Sequence, residues 1–206
     1  MDQLANGLYW LLEWLRALSG NYGLAVIGLT LLVRIVLLPL GVAQFRALEG
    51  QKRIQPLLQE LQKKYKDRPQ ELQRRMMELY REHRVNPFSG CLPSLVQLPI
   101  LWALFLALRR VPQGALFLVW DLSVRDPYLV WPILTGLSQY VSMKISMTDP
   151  RQGQTMLIMS LVSAVFAASF PTGLALYWTV SSLFTYVQYW FFQRRLLEAR
   201  GGVRAS

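Results

Sequence analysis

The stretch LLVRIVLLPL, residues 31–40, places one arginine inside a run of leucine, isoleucine and valine. This apolar run extends over residues 23–43, and about 20 apolar residues are enough to cross a bilayer. The stretch therefore predicts a transmembrane helix with Arg34 near its middle. A central arginine costs about 2.5–3.5 kcal/mol on insertion scales, so its presence needs a functional explanation.

The composition is that of a polytopic membrane protein. Of the 206 residues, 53% are hydrophobic and only 17% are charged,. Further apolar windows give candidate spans at 88–108, 127–147, 155–170 and 172–193,. We therefore predict an all-α polytopic membrane protein with five transmembrane helices. The lone cysteine, Cys91, excludes an internal disulfide,.

The distribution of basic residues predicts the orientation of the chain. Eleven lysines and arginines lie between the first and second spans, and four more follow the fifth. Because cytoplasmic loops hold the excess of Lys and Arg, the N-terminus is expected outside and the C-terminus in the cytoplasm. No secretory signal precedes the first span, so either the chain inserts by its own spans or a leader has been removed.

These patterns divide the chain into five parts. Leucines recur at helical spacing before the first span, with Trp10 and Trp14 beside them, which predicts an amphipathic helix in the outer interface,. The predicted parts are this interfacial helix (1–20), the first transmembrane helix (21–44), a cytoplasmic helical hairpin (45–85), transmembrane helices two to five (86–193) and a basic cytoplasmic tail (194–206).

The predicted hairpin has two narrow apolar stripes surrounded by charge,. The sequence DRP at 67–69 separates two helices, with Pro69 at the first helical position, and Pro56 is expected to kink or delay the first helix,. Such a long connection favours a docking surface for a soluble partner over the alternative, a solvated linker. The candidate docking residues are Lys63, Lys64, Tyr65, Met76, Met77 and Tyr80.

The residue types missing from the predicted spans exclude several classes of function. Every Asp and Glu lies outside the spans, so Arg34 has no intramembrane carboxylate partner in this chain, and the only histidine, His83, lies in the hairpin. A proton relay, a Ser-His protease pair and a His/Cys metal site each need residues that the spans lack. We expect no enzyme activity, no metal and no cofactor.

A helix length of about 15 Å separates Arg34 from either end of its predicted span. Snorkelling to the headgroups is one explanation, but this depth favours water inside the helix bundle. Polar residues of neighbouring spans share helical faces, which predicts a hydrophilic groove around Arg34. For the serines and threonines, helix–helix hydrogen bonding is the alternative. The candidate groove residues are Thr30, Arg34, Gln97, Thr135, Gln139, Trp178, Ser182 and Thr185.

Five stretches resemble the YidC/Oxa/Alb family of membrane protein insertases in its five-span form. They are TLLVRIVLLPLGVAQ (30–44), KKYKDRPQEL followed by MMELYREH (63–83), NPFSGCLPSLVQLPI (86–100), DPYLVWPILTG (126–136) and PTGLALYWTVSSLFTYVQ (171–188). The resemblance implies an insertase or chaperone in the bacterial plasma (inner) membrane, with a groove open to cytoplasm and lipid and Arg34 at its centre. The implied partners are nascent membrane proteins and membrane lipids, with the ribosome and the Sec translocase as further candidates and no specific nucleic acid sequence.

The resulting hypothesis is that the groove holds the polar outer segment of a client partway across the bilayer. Arg34 attracts acidic residues of that segment, and the client's apolar helix then passes into lipid. The rival hypothesis is a small anionic solute transporter or channel. That rival predicts a path open to both sides and often an internal repeat, and the sequence contains no inverted duplication.

Overall fold

The computed structural model describes residues 2–86, 92–146 and 153–203. These residues are mostly helical. In chain order the elements are α1 (Asp2–Ser19), α2 (Tyr22–Val36), α3 (Leu38–Lys64), α4 (Pro69–Glu82), α5 (Leu92–Leu108), β1 (Leu116–Phe117), β2 (Trp120–Asp121), α6 (Val130–Ser146), α7 (Gly153–Ala168) and α8 (Thr172–Val203).

A tight reversal joins α1 to α2. Gly20, with φ of +70°, donates its N–H to the carbonyl of Arg16 at 2.8 Å, which is the left-handed turn that glycine provides at helix ends,. The side-chain oxygen of Asn21 then caps α2 by accepting from the N–H of Gly23 at 2.8 Å and of Leu24 at 3.3 Å,. The reversal lets α1 pack along α2.

The segment 21–44, expected as one transmembrane helix, consists of α2 and the start of α3. The chain bends by 63° between the two helices, at Leu37. Pro39, in the first turn of α3, explains the break, because proline has no N–H to donate to the carbonyl of Ile35 and its ring clashes with that carbonyl, so α2 cannot continue as a regular helix,. Pro56, by contrast, lies inside α3 without ending it.

The membrane-crossing potential of single helices is limited in the part of the chain that the structure describes. None of these helices alone is both long enough and apolar enough to span a bilayer, whereas α2 and α3 together meet both criteria across their bend. The five-span arrangement stays a prediction.

The hydrophobic core lies between α1, α2, α5 and the first turns of α8. Leu12, Leu29, Leu104 and Leu176 contribute one side chain from each of these helices, and each is at most 2% exposed. Leu122 joins them from the loop between α5 and α6. The core therefore fixes the start of α8 against α2, and the residues further along both helices lie beyond it.

The loop between α5 and α6 contains a short ribbon that the all-α prediction lacks. Strands β1 and β2 pair in antiparallel fashion. Asp126 fixes the end of the loop. Its carboxylate accepts hydrogen bonds from the indole Nε1 of Trp120 at 2.9 Å, from the backbone N–H of Tyr128 at 3.0 Å and from the backbone N–H of Trp131 at 2.7 Å. Two-residue strands are too short to show the alternation of apolar and polar residues that would have predicted them,.

Helix α7 packs one face against α6 and exposes the other. Gly136 of α6 permits the close approach, since an added Cβ there would lie 2.9 Å from the Cβ of Ala164. On the opposite face of α7, Leu161 is 65% exposed and Val165 is 71% exposed. An exposed apolar face of this kind marks contact with lipid or with another protein.

Helices α3 and α4 form the predicted hairpin region. Arg68 is the N-cap of α4 and Pro69 lies in its first turn, and α4 has no buried residues. Lys52 of α3 pairs with Glu49 at 3.5 Å and donates to the carbonyl of Ile145 at 3.3 Å. The base of the hairpin is thereby joined to the end of α6.

Candidate functional site

Arg34 reaches across from α2 to α8. Its Nε donates to the hydroxyl oxygen of Ser181 at 2.8 Å, and its Nη2 contacts the same oxygen. Arg34 is partly buried, and Ser181 is only 2% exposed. Among residues 2–86, 92–146 and 153–203, no ion pair within 4.0 Å includes Arg34. Ser181 therefore positions the guanidinium without neutralising its charge.

The bend at Leu37 gives Arg34 a second source of stabilisation. The sequence places Arg34 near the middle of a continuous span, but the break puts it in the last turn of α2. The carbonyl end of a helix carries partial negative charge and stabilises a nearby cation by about 0.3–1 kcal/mol. The same proline that interrupts the span thus creates a favourable position for the arginine.

Thr135 lies between α6 and α8 and is completely buried. Its hydroxyl oxygen is 2.9 Å from the carbonyl of Trp131, 3.2 Å from the carbonyl of Ala175 and 3.0 Å from the hydroxyl of Thr179. This hydroxyl is satisfied entirely by the two helices. Its surroundings match the helix–helix hydrogen bonding considered as the alternative for such residues.

Gln139 and Ser182 continue this α6–α8 seam. The Ser182 hydroxyl donates to Gln139 Oε1 at 3.0 Å, and the Ser142 hydroxyl donates to the carbonyl of Ser182. Ser182 is buried and Gln139 is partly exposed. The structure brings these two predicted groove residues together, on the side of α8 that faces α6.

Two other predicted groove residues form hydrogen bonds within their own helices. Thr30 is fully buried and donates to the carbonyl of Val26 at 2.7 Å, while Thr185 donates to the carbonyl of Ser181 at 3.0 Å. Such bonds one turn back satisfy a hydroxyl in an apolar setting. The carbonyl contact also places Thr185 one turn beyond the serine that holds Arg34.

Trp178 is partly buried and packs edge-to-face against Phe166 of α7, with ring centroids 5.9 Å apart. The side chain of Gln97 lies outside the described residues. Client contact stays a prediction for all eight candidate groove residues.

Ser181 is the residue that sequence reasoning misses. Successive residues of a helix point about 100° apart, so the neighbouring Ser181 and Ser182 face α2 and α6 respectively. A signal was available, because Ser181 is three residues after Trp178 and four before Thr185, which places it on the same polar face,.

The candidate docking residues of the hairpin remain accessible to different degrees. Lys63, Lys64 and Met77 are exposed, whereas Tyr65, Met76 and Tyr80 are partly buried. The ammonium of Lys64 lies 5.6 Å from the ring centre of Tyr65. Docking of a soluble partner to this surface stays a prediction.

Comparison with known proteins identifies the family. Residues 14–199 match the family described as 60Kd inner membrane protein. This chain belongs to that family. The resemblance seen in the five sequence stretches is thereby confirmed.

Several relatives in the 60Kd inner membrane protein family carry a functional name. The membrane protein insertase YidC of Haemophilus ducreyi is 41% identical over 96% of this chain, and that of Cupriavidus taiwanensis is 39% identical over 98%. The matches cover 38% and 37% of those relatives. The chain therefore spans little more than a third of their length.

A solved structure supports the same assignment. A crystal structure of an active YidC insertase, with its first transmembrane domain resolved, is 35% identical and superposes with a TM-score of 0.78. The match covers 90% of this chain and 45% of that one. The shared fold thus includes most of this member of the 60Kd inner membrane protein family.

Proposed function

We propose that this chain is a membrane protein insertase and chaperone that receives nascent membrane proteins at Arg34. The observation that carries the proposal is the pairing of Arg34 with the neutral hydroxyl of Ser181. A serine fixes the direction of the guanidinium and leaves its positive charge to attract an acidic group. The names of the relatives support the same function.

The geometry of the Arg34 contact leaves capacity for a client. A guanidinium carries five N–H donors in a planar fork. The contacts with Ser181 engage two of these donors, one on Nε and one on Nη2, and so leave three donors beyond them. Carboxylates bind such a fork with two parallel hydrogen bonds. An acidic side chain in the polar outer segment of a client is therefore the ligand that Arg34 suits best.

Release into lipid requires no cofactor. Transfer of about 20 apolar residues from water into lipid supplies the drive. The apolar face of α7, with Leu161 and Val165, offers a lipid-facing surface along which a helix can leave. Helix α7 has 16 residues and covers about 24 Å, less than the roughly 30 Å hydrocarbon core. Local thinning there would shorten the path of the polar segment.

The proposed setting is the bacterial inner membrane, with five spans, the N-terminus outside and the C-terminus in the cytoplasm. The exposed apolar face of α7 and the concentration of basic residues in the hairpin and tail support this arrangement,. The exposed Met77 and Lys63 then belong to a cytoplasmic surface for the ribosome or the Sec translocase.

Photo-crosslinking to a stalled nascent membrane protein tests the proposal. A photoreactive residue at Trp178 or Gln97 probes the groove and leaves Arg34 intact, and one at Leu161 or Val165 probes the lipid-facing surface of α7. We expect adducts at the groove positions that weaken when the client's apolar segment is shortened. Equal yields at all four positions would contradict selective contact of the client with the groove. Arginine-dependent anion flux through vesicles without a client would favour the rival function, an anion transporter.

A further inference from the structure

A cavity of about 440 Å³ lies between α3 and the C-terminal half of α8. Its floor is aromatic. Phe45 is 5% exposed, and its ring centre lies 5.4 Å from that of Phe192 and 5.6 Å from that of Tyr189. The volume lies within the range of small-ligand sites, about 300–1,000 Å³. Arg34 does not line this cavity, so it is separate from the proposed client site.

Three arginines surround the aromatic floor, namely Arg46, Arg53 and Arg195. The one carboxylate in the lining belongs to Glu49, which pairs with Lys52 at 3.5 Å. In the part of the chain that the structure describes, no ion pair within 4.0 Å involves any of the three arginines. The cavity therefore concentrates positive charge above an apolar base.

We propose that this cavity binds the phosphate headgroup of an acidic membrane lipid, with an acyl chain against Phe45 and Phe192. A ligand that is anionic at one end and apolar at the other matches both parts of the lining. Basic pockets beside membrane helices are sites for such headgroups. The proposal does not depend on insertase activity.

The adjoining surface of α8 supports a lipid rather than a soluble anion. Val187, Trp190 and Phe191 are exposed apolar residues just before the cavity, and two arginines, Arg194 and Arg195, follow them directly. A belt of aromatic residues followed by basic ones is typical of the boundary between hydrocarbon and headgroups. A lipid bound there would join α3 to α8 beyond the bend at Leu37.

Binding to the purified full-length chain in neutral detergent tests the proposal. The probes are dihexanoyl phosphatidylglycerol, dihexanoyl phosphatidylcholine with the same chains, and inorganic phosphate, with affinity followed by tryptophan fluorescence and stoichiometry by native mass spectrometry. We expect the acidic lipid to bind most tightly. Each of Arg46→Gln, Arg53→Gln and Arg195→Gln should weaken it by about fivefold. Arg81→Gln, at an exposed position of α4, removes one positive charge as each cavity variant does, and this charge-matched control should bind normally.

Three results would overturn this assignment. Equal affinity for inorganic phosphate would indicate a free-anion site that makes no use of the aromatic floor. An undiminished preference for the acidic lipid in the three cavity variants would place lipid binding elsewhere. Tight, arginine-dependent binding of an acidic client peptide without binding of the lipid would make the cavity a peptide site. Since no insertion is measured, failure here leaves the proposed function standing.

Discussion

The Nε atom of Arg34 lies 2.8 Å from the hydroxyl oxygen of Ser181, and this contact joins the end of α2 to the N-terminal third of α8. A carboxylate in the place of Ser181 would satisfy the guanidinium and cancel its charge. The neutral hydroxyl fixes the orientation of the guanidinium and does not neutralise its positive charge. The proposed attraction of an acidic client requires this combination of a fixed position and a free charge.

The contact between Arg34 and Ser181 should be measurable as a coupling energy. Hydrogen bonds to charged groups contribute about 1.5–3 kcal/mol, so a double-mutant cycle with Arg34→Gln and Ser181→Ala should give a coupling of about 1 kcal/mol or more. The measurement is denaturant unfolding in detergent micelles. The matched cycle with Ser182→Ala should give a coupling near zero, because Ser182 bonds to Gln139. Equal couplings in the two cycles would refute the specific pairing.

Replacing Gly136 with alanine should push α6 and α7 apart. The new Cβ would lie 2.9 Å from the Cβ of Ala164 and 3.1 Å from the carbonyl oxygen of Ser160. Overpacking of this kind costs about 1–3 kcal/mol, which should appear as a lower thermal unfolding temperature. Adding Ala164→Gly should restore part of the stability, because the contact with the Ser160 carbonyl remains. No recovery in the double variant would show that the Ala164 contact is not the cause.

The seam between α6 and α8 should weaken when Thr135 is replaced with valine. Valine has nearly the same shape and removes the hydroxyl shared with Trp131, Ala175 and Thr179. Interhelical hydrogen bonds in membrane proteins contribute about 0.6 kcal/mol on average, with a maximum of about 1.7, and unfolding measurements should show a loss in that range. Ser163→Ala, which removes a bond within α7 alone, is the control. An equal loss of unfolding free energy in the control would mean that the hydrogen bonds between α6 and α8 contribute no more than a bond within one helix.

The loop between α5 and α6 should lose stability in acid through Asp121. Partial burial raises the pKa of this carboxyl, but hydrogen bonds from the Ser123 side chain and from the N–H groups of Ser123 and Gly114 outweigh that effect and hold the pKa below its ordinary value. A carboxyl with a lowered folded pKa stabilises fully above its unfolded pKa, about 3.9, and loses this contribution as the pH falls through the folded pKa.

The measurement is the unfolding temperature between about pH 6 and 2.5, a range that brackets that unfolded pKa. Wild type should fall more steeply than Asp121→Asn below about pH 4. Asp67→Asn, at an exposed position of the hairpin, should follow the wild-type curve. Parallel curves for wild type and Asp121→Asn would contradict the role given to Asp121.

The sequence predicts the helices and the importance of Arg34 because both depend on local patterns. Apolar runs of the right length indicate helices, and a charged residue inside such a run is evident from the sequence alone. The break at Leu37 had a local signal in Pro39, but the apolar run continues through it. The pairing of Arg34 with Ser181 depends on which neighbour each face of α8 meets, and periodicity alone does not assign those neighbours.

Insertion of matched clients into vesicles that contain only this protein tests the central claim most directly. Two single-span clients would differ only in the outer segment, acidic in one and neutral in the other, and would be compared with wild type, Arg34→Gln and, as a control for overall charge, Arg81→Gln on α4. The account predicts that Arg34→Gln lowers insertion of the acidic client by about tenfold, the equivalent of about 1.4 kcal/mol, with little effect on the neutral one. Equal loss for both clients, or no loss for either, would contradict the account.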